Sequence, residues 1–351
     1  MNQPDFEALR SLLSRVGKRA HAVTPMPGGA STRQYFRLDL GGESAVGMFS
    51  PEGATPEEIQ KGHHAVRRWP FLEVGELLAE HGVDVPKLLG DDTDHGWLVL
   101  EDLGDATLAN WLLEHPEDRA LLYTRAVRDL ATAQARLAHL PEGCIVTTRA
   151  FDADLLKWEI DHFREWGLEA RGLSLSEADA RAFDEIGARL AARIAALPRG
   201  FVHRDYQSRN LMVRPATKSL VWIDFQDALL GPRVYDLVAL LNDSYQAFDR
   251  AFVEARLADF HDAATGGAND PKALAALTTQ FDLVTVQRKL KDAGRFVFID
   301  RKKGNPSFLR FVEPTIAKAR TSLARLAPVD DDMAELEAIL ARTLPAAGTA
   351  S

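Results

Sequence analysis

Cysteine is almost missing from this sequence: Cys144 is the single one among 351 residues. A lone thiol cannot close an internal disulfide, and no Cys/His cluster offers the ligand spacing of a zinc site. Cys144 therefore reads as an ordinary half-buried small residue. Long apolar runs are missing too. No stretch reaches the roughly 18–20 residues that a membrane span needs. The first twenty residues, interrupted by Asp5, Glu7, Arg10 and Arg15, lack the apolar core of a signal peptide. Nor is there an excess of positive charge. Acidic residues outnumber basic ones by 51 to 42, a net charge of −9 that repels nucleic acid in bulk. No Lys/Arg stripe is interleaved with aromatics; the nearest approach, Arg301, Lys302 and Lys303, reads as a solvated turn. The exclusions leave a chain expected in a reducing cytoplasm, without a nucleic-acid or membrane partner and without an evident obligate protein partner.

What is present is ordinary globular composition, 46% apolar and 26% charged, in a length that suits one large domain or two modest ones. Phe6, Leu9, Leu12, Leu13 and Val16 recur at helical spacing near the start. Strand-like segments follow around Val23–Pro25, Tyr35–Leu40 and Ser44–Phe49, separated by the glycine turns at Gly28-Gly29 and Gly41-Gly42. A helix-compatible stretch runs from about Gly62 to Gly82, where the glycine closes it. Val85–Leu89 and Gly96–Leu100 read as two further strands. Beyond Gly104 the pattern turns helical: Leu108–Leu140, Ala153–Trp166 and Ser176–Leu197, then two or three long helices at the end. Only Phe201-Val202 and Val221-Trp222-Ile223 interrupt it as strands. There is no internal repeat. The expected fold is α+β and bilobal, with a small β-rich lobe over 1–103, a larger mainly helical lobe over 104–351, and Leu100–Gly104 as the hinge.

The chemistry concentrates between the two late strands. His203-Arg204-Asp205 is followed by Asn210, five positions after the aspartate, and Ile223-Asp224-Phe225 comes after the next strand. Phosphoryl transfer asks little covalent work of a protein: an aligned hydroxyl, a group to receive its proton, and cations on the phosphate oxygens. Asp205 and Asn210 on one loop supply a proton acceptor and a neutral metal ligand, and Asp224 supplies an anionic one. Oxygen-only ligands suit magnesium. Any one of these residues alone is more simply a turn or cap residue; the complete H-R-D-x(4)-N with a later apolar-apolar-D-F is the catalytic-loop pattern of kinases.

With those residues in hand, the chain resembles the aminoglycoside phosphotransferase family, a kinase-like fold whose members phosphorylate antibiotics, choline, homoserine and sugars. A finer likeness lies in Arg209-Asn210-Leu211-Met212, Asp224-Phe225-Gln226-Asp227-Ala228, Gly231-Pro232 and Tyr235-Asp236-Leu237. These strings, with Gln287–Lys291 and Gly294-Arg295-Phe296, look like the bacterial anomeric kinases of N-acetylmuramate and N-acetylglucosamine, which make a sugar 1-phosphate in cell-wall recycling. The resemblance implies ATP and magnesium as cofactors and a small sugar as acceptor. It implies Asp205 as catalytic base and Asn210 and Asp224 as metal ligands. Under it Asp236 is the buried acid that braces the catalytic-loop backbone, a place it shares with the plainer reading of a helix N-terminal acid. His203 supports the same loop. Asp227 either supports the metal ligands or steers the loop.

On the nucleotide side, Gly29, Ser31, Thr32 and Arg33 lie between two strands, where a kinase keeps its phosphate-covering loop and backbone N–H groups can cradle anionic oxygens. Glu101 and Leu103 on the hinge offer backbone groups to adenine. The third strand, Ala45-Val46-Gly47-Met48-Phe49, lacks the lysine that kinase-like lobes use for the α- and β-phosphates, and Met48 stands in its slot. Glu73 and Glu76 on the next helix therefore gain no role as its partner. Arg33, or the metals, is expected to offset the phosphate charge instead.

On the acceptor side, Trp158-Glu159 and Trp166 mix carboxylate and aromatic groups as sugar sites do, so Glu159 and Trp166 are candidate sugar contacts. The same pattern fits an amphipathic helix with its aromatics buried. Arg288 and Lys291, about a turn apart, are candidates for an acidic group such as a lactyl carboxylate, and equally fit a solvated basic face. Two other functions stand beside the amino-sugar kinase: an aminoglycoside or other small-alcohol phosphotransferase, and a pseudokinase-like binding protein suggested by the absent lysine.

Overall fold

Alternation with period two decides the sheet. In the computed structural model, which describes residues 3–27, 33–50 and 69–344, β1 (Ala22–Pro25), β2 (Gln34–Asp39), β3 (Ser44–Phe49), β4 (Leu88–Asp92) and β5 (Trp97–Glu101) form one antiparallel sheet. The order is β1-β2-β3-β5-β4. Phe36, Leu38, Ala45, Phe49, Trp97 and Val99 face α1 (Phe6–Arg15) and pack with its Leu9, Leu12 and Leu13. Their neighbours in sequence, Met48, Leu98 and Leu100, point to the other side and pack with Leu72 of α2 (Pro70–Glu80). Both faces of the sheet are thus covered, as successive side chains on a strand must point opposite ways.

The chain folds as two units, Met1–Arg119 with Arg209–Gln226, and Ala120–Ser208 with Asp227–Ser351. The returning segment of the first unit is a hairpin of β7 (Leu211–Val213) and β8 (Leu220–Trp222). It is tied down by backbone bonds from Val213 N–H to Ala106 C=O (2.7 Å) and from Trp222 N–H to Asp84 C=O (2.8 Å). Just past it, Phe225 lies 4.8 Å from the Phe71 ring and covers Gly75 on α2, where a Cβ would come within 3.3 Å of the phenyl carbons. That contact accounts for a glycine in mid-helix.

The largely helical run over 108–140 holds two α-helices. α3 (Leu108–Glu114) stops at His115 (φ −129°, ψ 62°), a single 3₁₀ turn spans Pro116–Asp118, and α4 (Arg119–Arg136) follows. Pro116 has no N–H and pushes the residue before it out of the helical region. With α4, the helices of the second unit among the described residues are α5 (Ala153–His162), α6 (Glu177–Ala195), α7 (Tyr235–Leu241), α8 (Arg250–Thr265), α9 (Pro271–Lys303), α10 (Val312–Leu326) and α11 (Asp331–Thr343). β6 (Arg199–Val202) pairs there with β9 (Leu229–Pro232). α9, of 33 residues, starts with Asp270 accepting from the N–H groups of Lys272 and Ala273 and with Pro271 in its first turn, and ends at Gly304 with φ 65°. Arg301, Lys302 and Lys303 are its last turn, where cations meet the carbonyl end of the helix, and not a separate loop.

Candidate active site

β6 delivers the chain to His203, and α7 receives the other end of the same sheet two residues after β9. Asp236, the second residue of α7, is fully buried. Its carboxylate accepts the backbone N–H of His203 (2.7 Å) and of Arg204 (3.0 Å). Between those bonds Arg204 has φ 80°, a left-handed conformation that costs an arginine about 1–3 kcal/mol. Two hydrogen bonds, each contributing about 0.5–1.5 kcal/mol and more while the acceptor is charged, offset that cost. Burial pushes the Asp236 carboxyl up to about 7, against the pull of His203 N–H, the Arg288 charge and Arg204 N–H.

Asp205 follows, its side chain 39% exposed. Desolvation works to raise its carboxyl, but the positive fields of Arg288, Arg204 and Lys291 outweigh that and hold it below the ordinary carboxylate value. It is therefore ionised at neutral pH and able to take a proton. Arg288 is almost fully buried on α9; its Nη1 donates to Arg204 C=O (2.7 Å) and its Nη2 lies 3.5 Å from Asp205 Oδ1. The guanidinium sits 4.6 Å above the centre of the Tyr235 ring. Further along the loop, Tyr206 Oη donates to Ala126 C=O of α4 (2.9 Å), and Ser208 donates through both N–H and Oγ to Asp243. Sequence reading does not single out Tyr206, Ser208 or Asp243, and reaches Tyr235 only within a recognisable string: each matters through a residue at least 35 positions away.

The other acceptor-side candidates divide. Glu159 is buried, accepts from Gln287 Nε2 (2.8 Å) and lies 3.9 Å from Lys291 Nζ, which is 3.2 Å from Asp292. Trp166 belongs to an aromatic group instead. Phe298 meets it edge-on at 5.1 Å and Lys302 Nζ lies 5.4 Å from its ring centre. It stands in a π-helical segment, Phe163–Leu168, that continues α5.

In the first unit, Asn210 C=O accepts the N–H of Ile223 (3.0 Å), so the open end of the hairpin sets Asn210 beside the Ile223-Asp224 pair. Asp224, with φ 62°, accepts on Oδ1 from Gln226 Nε2 (2.9 Å) and Arg33 Nη1 (3.3 Å). The amide oxygen of Asn210 and the carboxylate of Asp224 are hard donors that fit magnesium. Met48 is buried in the apolar layer under the sheet. Glu101 accepts from Arg214 Nη1 (2.7 Å) and from Lys87 N–H (3.2 Å), and Leu103 is half-buried. Asp227 is half-buried where the chain re-enters the second unit. Gly29, Ser31 and Thr32 lie outside the described residues.

An ionised carboxylate on a clamped loop, and separately a pair of hard oxygen donors, are groups that phosphoryl transfer can use. Comparison with known proteins points to the same reaction class. The phosphotransferase enzyme family matches residues 22–277. A Pseudomonas aeruginosa protein named N-acetylmuramate/N-acetylglucosamine kinase is 33% identical over 321 residues, 91% of this chain and 88% of that one. One of the same name from Neisseria meningitidis is 30% identical, over 89% and 87%. Among solved structures, the GDP complex of aminoglycoside 2'-phosphotransferase-IIIa aligns with a TM-score of 0.60 at 13% identity, over 90% of this chain and 99% of that one. Choline kinase from Cryptosporidium parvum aligns at 0.58 and 12%, over 90% and 92%. Those structural likenesses establish the fold: α+β and protein-kinase-like, with an N-terminal antiparallel sheet and a mainly helical C-terminal part. The family match extends well past half the chain and takes in the whole segment from His203 to Asp236, and the chain belongs to the phosphotransferase enzyme family.

Proposed function

We propose that this protein is an ATP-dependent kinase of N-acetylmuramate, N-acetylglucosamine or both that phosphorylates the anomeric C1 hydroxyl, giving the sugar 1-phosphate for peptidoglycan recycling. The observation that carries this reading is identity of about a third, over nine-tenths of both chains, to enzymes bearing that name. The loop geometry supports the reaction class. In the proposed step the C1 oxygen attacks the γ-phosphorus, the bond from that phosphorus to the β–γ bridging oxygen breaks, and ADP leaves. Asp205 receives the hydroxyl proton. An anomeric hydroxyl is more acidic than an ordinary alcohol, so a carboxylate of low pKa suffices to orient it and take the proton late.

Asn210 and Asp224 would hold magnesium, which supplies positive charge to the phosphate oxygens. Arg33 adds a cation in place of the absent lysine. Gly29, Ser31 and Thr32 are proposed to cover the phosphates, and Glu101 and Leu103 to meet adenine. Trp166 and Lys291 are the proposed sugar-side residues, with the buried Glu159 behind them as a partner of Gln287 and Lys291, and His203, Asp227 and Asp236 the supporting ones. The lobe boundary at 103/104 is proposed on the same functional ground. A cytoplasmic location fits a reaction that consumes ATP; among the described residues no helix is long and apolar enough to cross a membrane.

A panel of acceptors followed by phosphorus NMR tests the reading. Phosphate appearing on C1 of either amino sugar is the expected result. Phosphate on an aminoglycoside hydroxyl instead would assign the chain to the antibiotic kinases, and no turnover with any acceptor would return it to the pseudokinase-like class.

A further inference from the structure

The sequence places Arg288 on the acceptor side, as a partner for an acidic substrate group. Its surroundings argue for another role. Only 3% of the residue is exposed, which leaves little surface for a sugar. Both terminal nitrogens of the guanidinium point at the catalytic loop: Nη1 is 2.7 Å from the carbonyl of Arg204 and Nη2 is 3.5 Å from the carboxylate of Asp205. Resting on Asp205 as the base, we propose that Arg288 is a positioning residue, which fixes the peptide between Arg204 and Asp205 and thereby aims the Asp205 carboxylate.

The clamp has two jaws. Asp236 holds the N–H groups of His203 and Arg204, so the peptide before Arg204 cannot rotate. Arg288 holds the carbonyl after it. A non-glycine residue at φ 80° relaxes toward negative φ when its peptides are released. That rotation would turn the Asp205 peptide and swing its side chain off line. The jaws are also joined to each other. Tyr235, whose ring lies under the guanidinium at 4.6 Å, is the residue before Asp236, so α7 sets both the carboxylate and the surface on which Arg288 rests. Asp292, a turn further on α9 and 3.8 Å from Arg288 Nε, balances the buried charge. A planar guanidinium can serve a carbonyl and a carboxylate at once, whereas a lysine ammonium brings a point charge to one of them.

Arg288→Met and Arg288→Lys, measured by steady-state kinetics beside Asp205→Asn, test this. We expect Arg288→Met to lower kcat by ~10–100-fold, the scale of a roughly 1 Å misplacement, with KM for sugar and nucleotide changed less than about threefold. Arg288→Lys should recover part of the loss. In the Asp205→Asn background, Arg288→Met should cost little more, because the two act as a unit. Thermal melts identify a variant that has lost its fold, and Arg288→Lys, which retains the charge, carries the test if the methionine variant does. A rise in sugar KM of tenfold or more at unchanged kcat would overturn the proposal and make Arg288 a substrate contact. So would unchanged kcat in both variants, or a full additional loss in the Asp205→Asn background. Turnover close to the wild-type rate in Asp205→Asn alone would instead remove the base assignment beneath it.

Discussion

Asp224 Oδ1 accepts from two side chains, Gln226 and Arg33. Arg33 therefore stands beside a carboxylate proposed as a metal ligand, in a chain whose β3 offers only Met48 where a lysine is usual. Met48 packs against Leu72, Leu98 and Leu100, so the lysine's slot is part of the apolar core. Arg33, paired with Asp224 and with its side chain only 11% exposed, is then the cation expected to meet a phosphate that a metal would hold there. Arg33→Ala should lower kcat/KM for ATP by about 10²-fold, as loss of a donor to developing charge does, and leave the sugar KM within a few-fold. Initial rates at varied ATP would check it, and normal ATP use in this variant would reject the arginine.

Helices show which parts of this molecule a local reading reaches. The span from Asp205 to Asn210 and the strand before Asp224 were legible because the signal is a fixed spacing within one loop and one hairpin. Asp236 and Arg288 act on that loop from 32 and 84 positions away, and only the β6–β9 pairing and the path of α9 make them neighbours. Helical periodicity concealed the break at Pro116 because apolar residues recur on both sides of it. Gly294 is a similar case: it belongs to a recognisable string, yet its reason is tertiary. A Cβ there would lie 2.9 Å from both His162 O and Phe163 Cα, backbone atoms that cannot move aside like a side chain. Gly294→Ala should therefore destabilise the protein by about 1–3 kcal/mol in urea denaturation, although the same change in an open helix stabilises by nearly 1 kcal/mol. Within α4, burial pushes Asp129 up to about 6, with Arg125 pulling the other way. A carboxyl raised by folding contributes its stability below its unfolded pKa and loses it as pH rises through the folded one. Asp129→Asn should therefore gain stability over the wild type as pH rises from about 4 to about 7, measured as urea midpoints; a constant difference across that range would show that Asp129 keeps an ordinary pKa.

For the whole molecule the governing quantity is charge. A protein of net charge −9 that, as proposed, takes up ATP must offset two sets of negative charge, and the proposed ligands add Asp224 to them. Magnesium should therefore control nucleotide binding more than any single side chain. The chain passes between its units at Ser208/Arg209 and Gln226/Asp227, so Asp205 belongs to one unit and Asn210 and Asp224 to the other. The roles separate accordingly. A ligand bound only by the folded state stabilises it by RT ln(1 + [L]/Kd), about 2.7 kcal/mol at a hundredfold excess over Kd. ATP with magnesium should raise the melting temperature of the wild type, and a chelator should remove most of the rise. Asp224→Ala should lose the magnesium-dependent share, whereas Asp205→Asn should keep it while losing turnover. Melting curves with and without chelator for the three proteins decide the matter: a magnesium-dependent shift that survives in Asp224→Ala would take that residue out of the metal site, and one lost in Asp205→Asn would mean that Asp205 binds the ion rather than the proton.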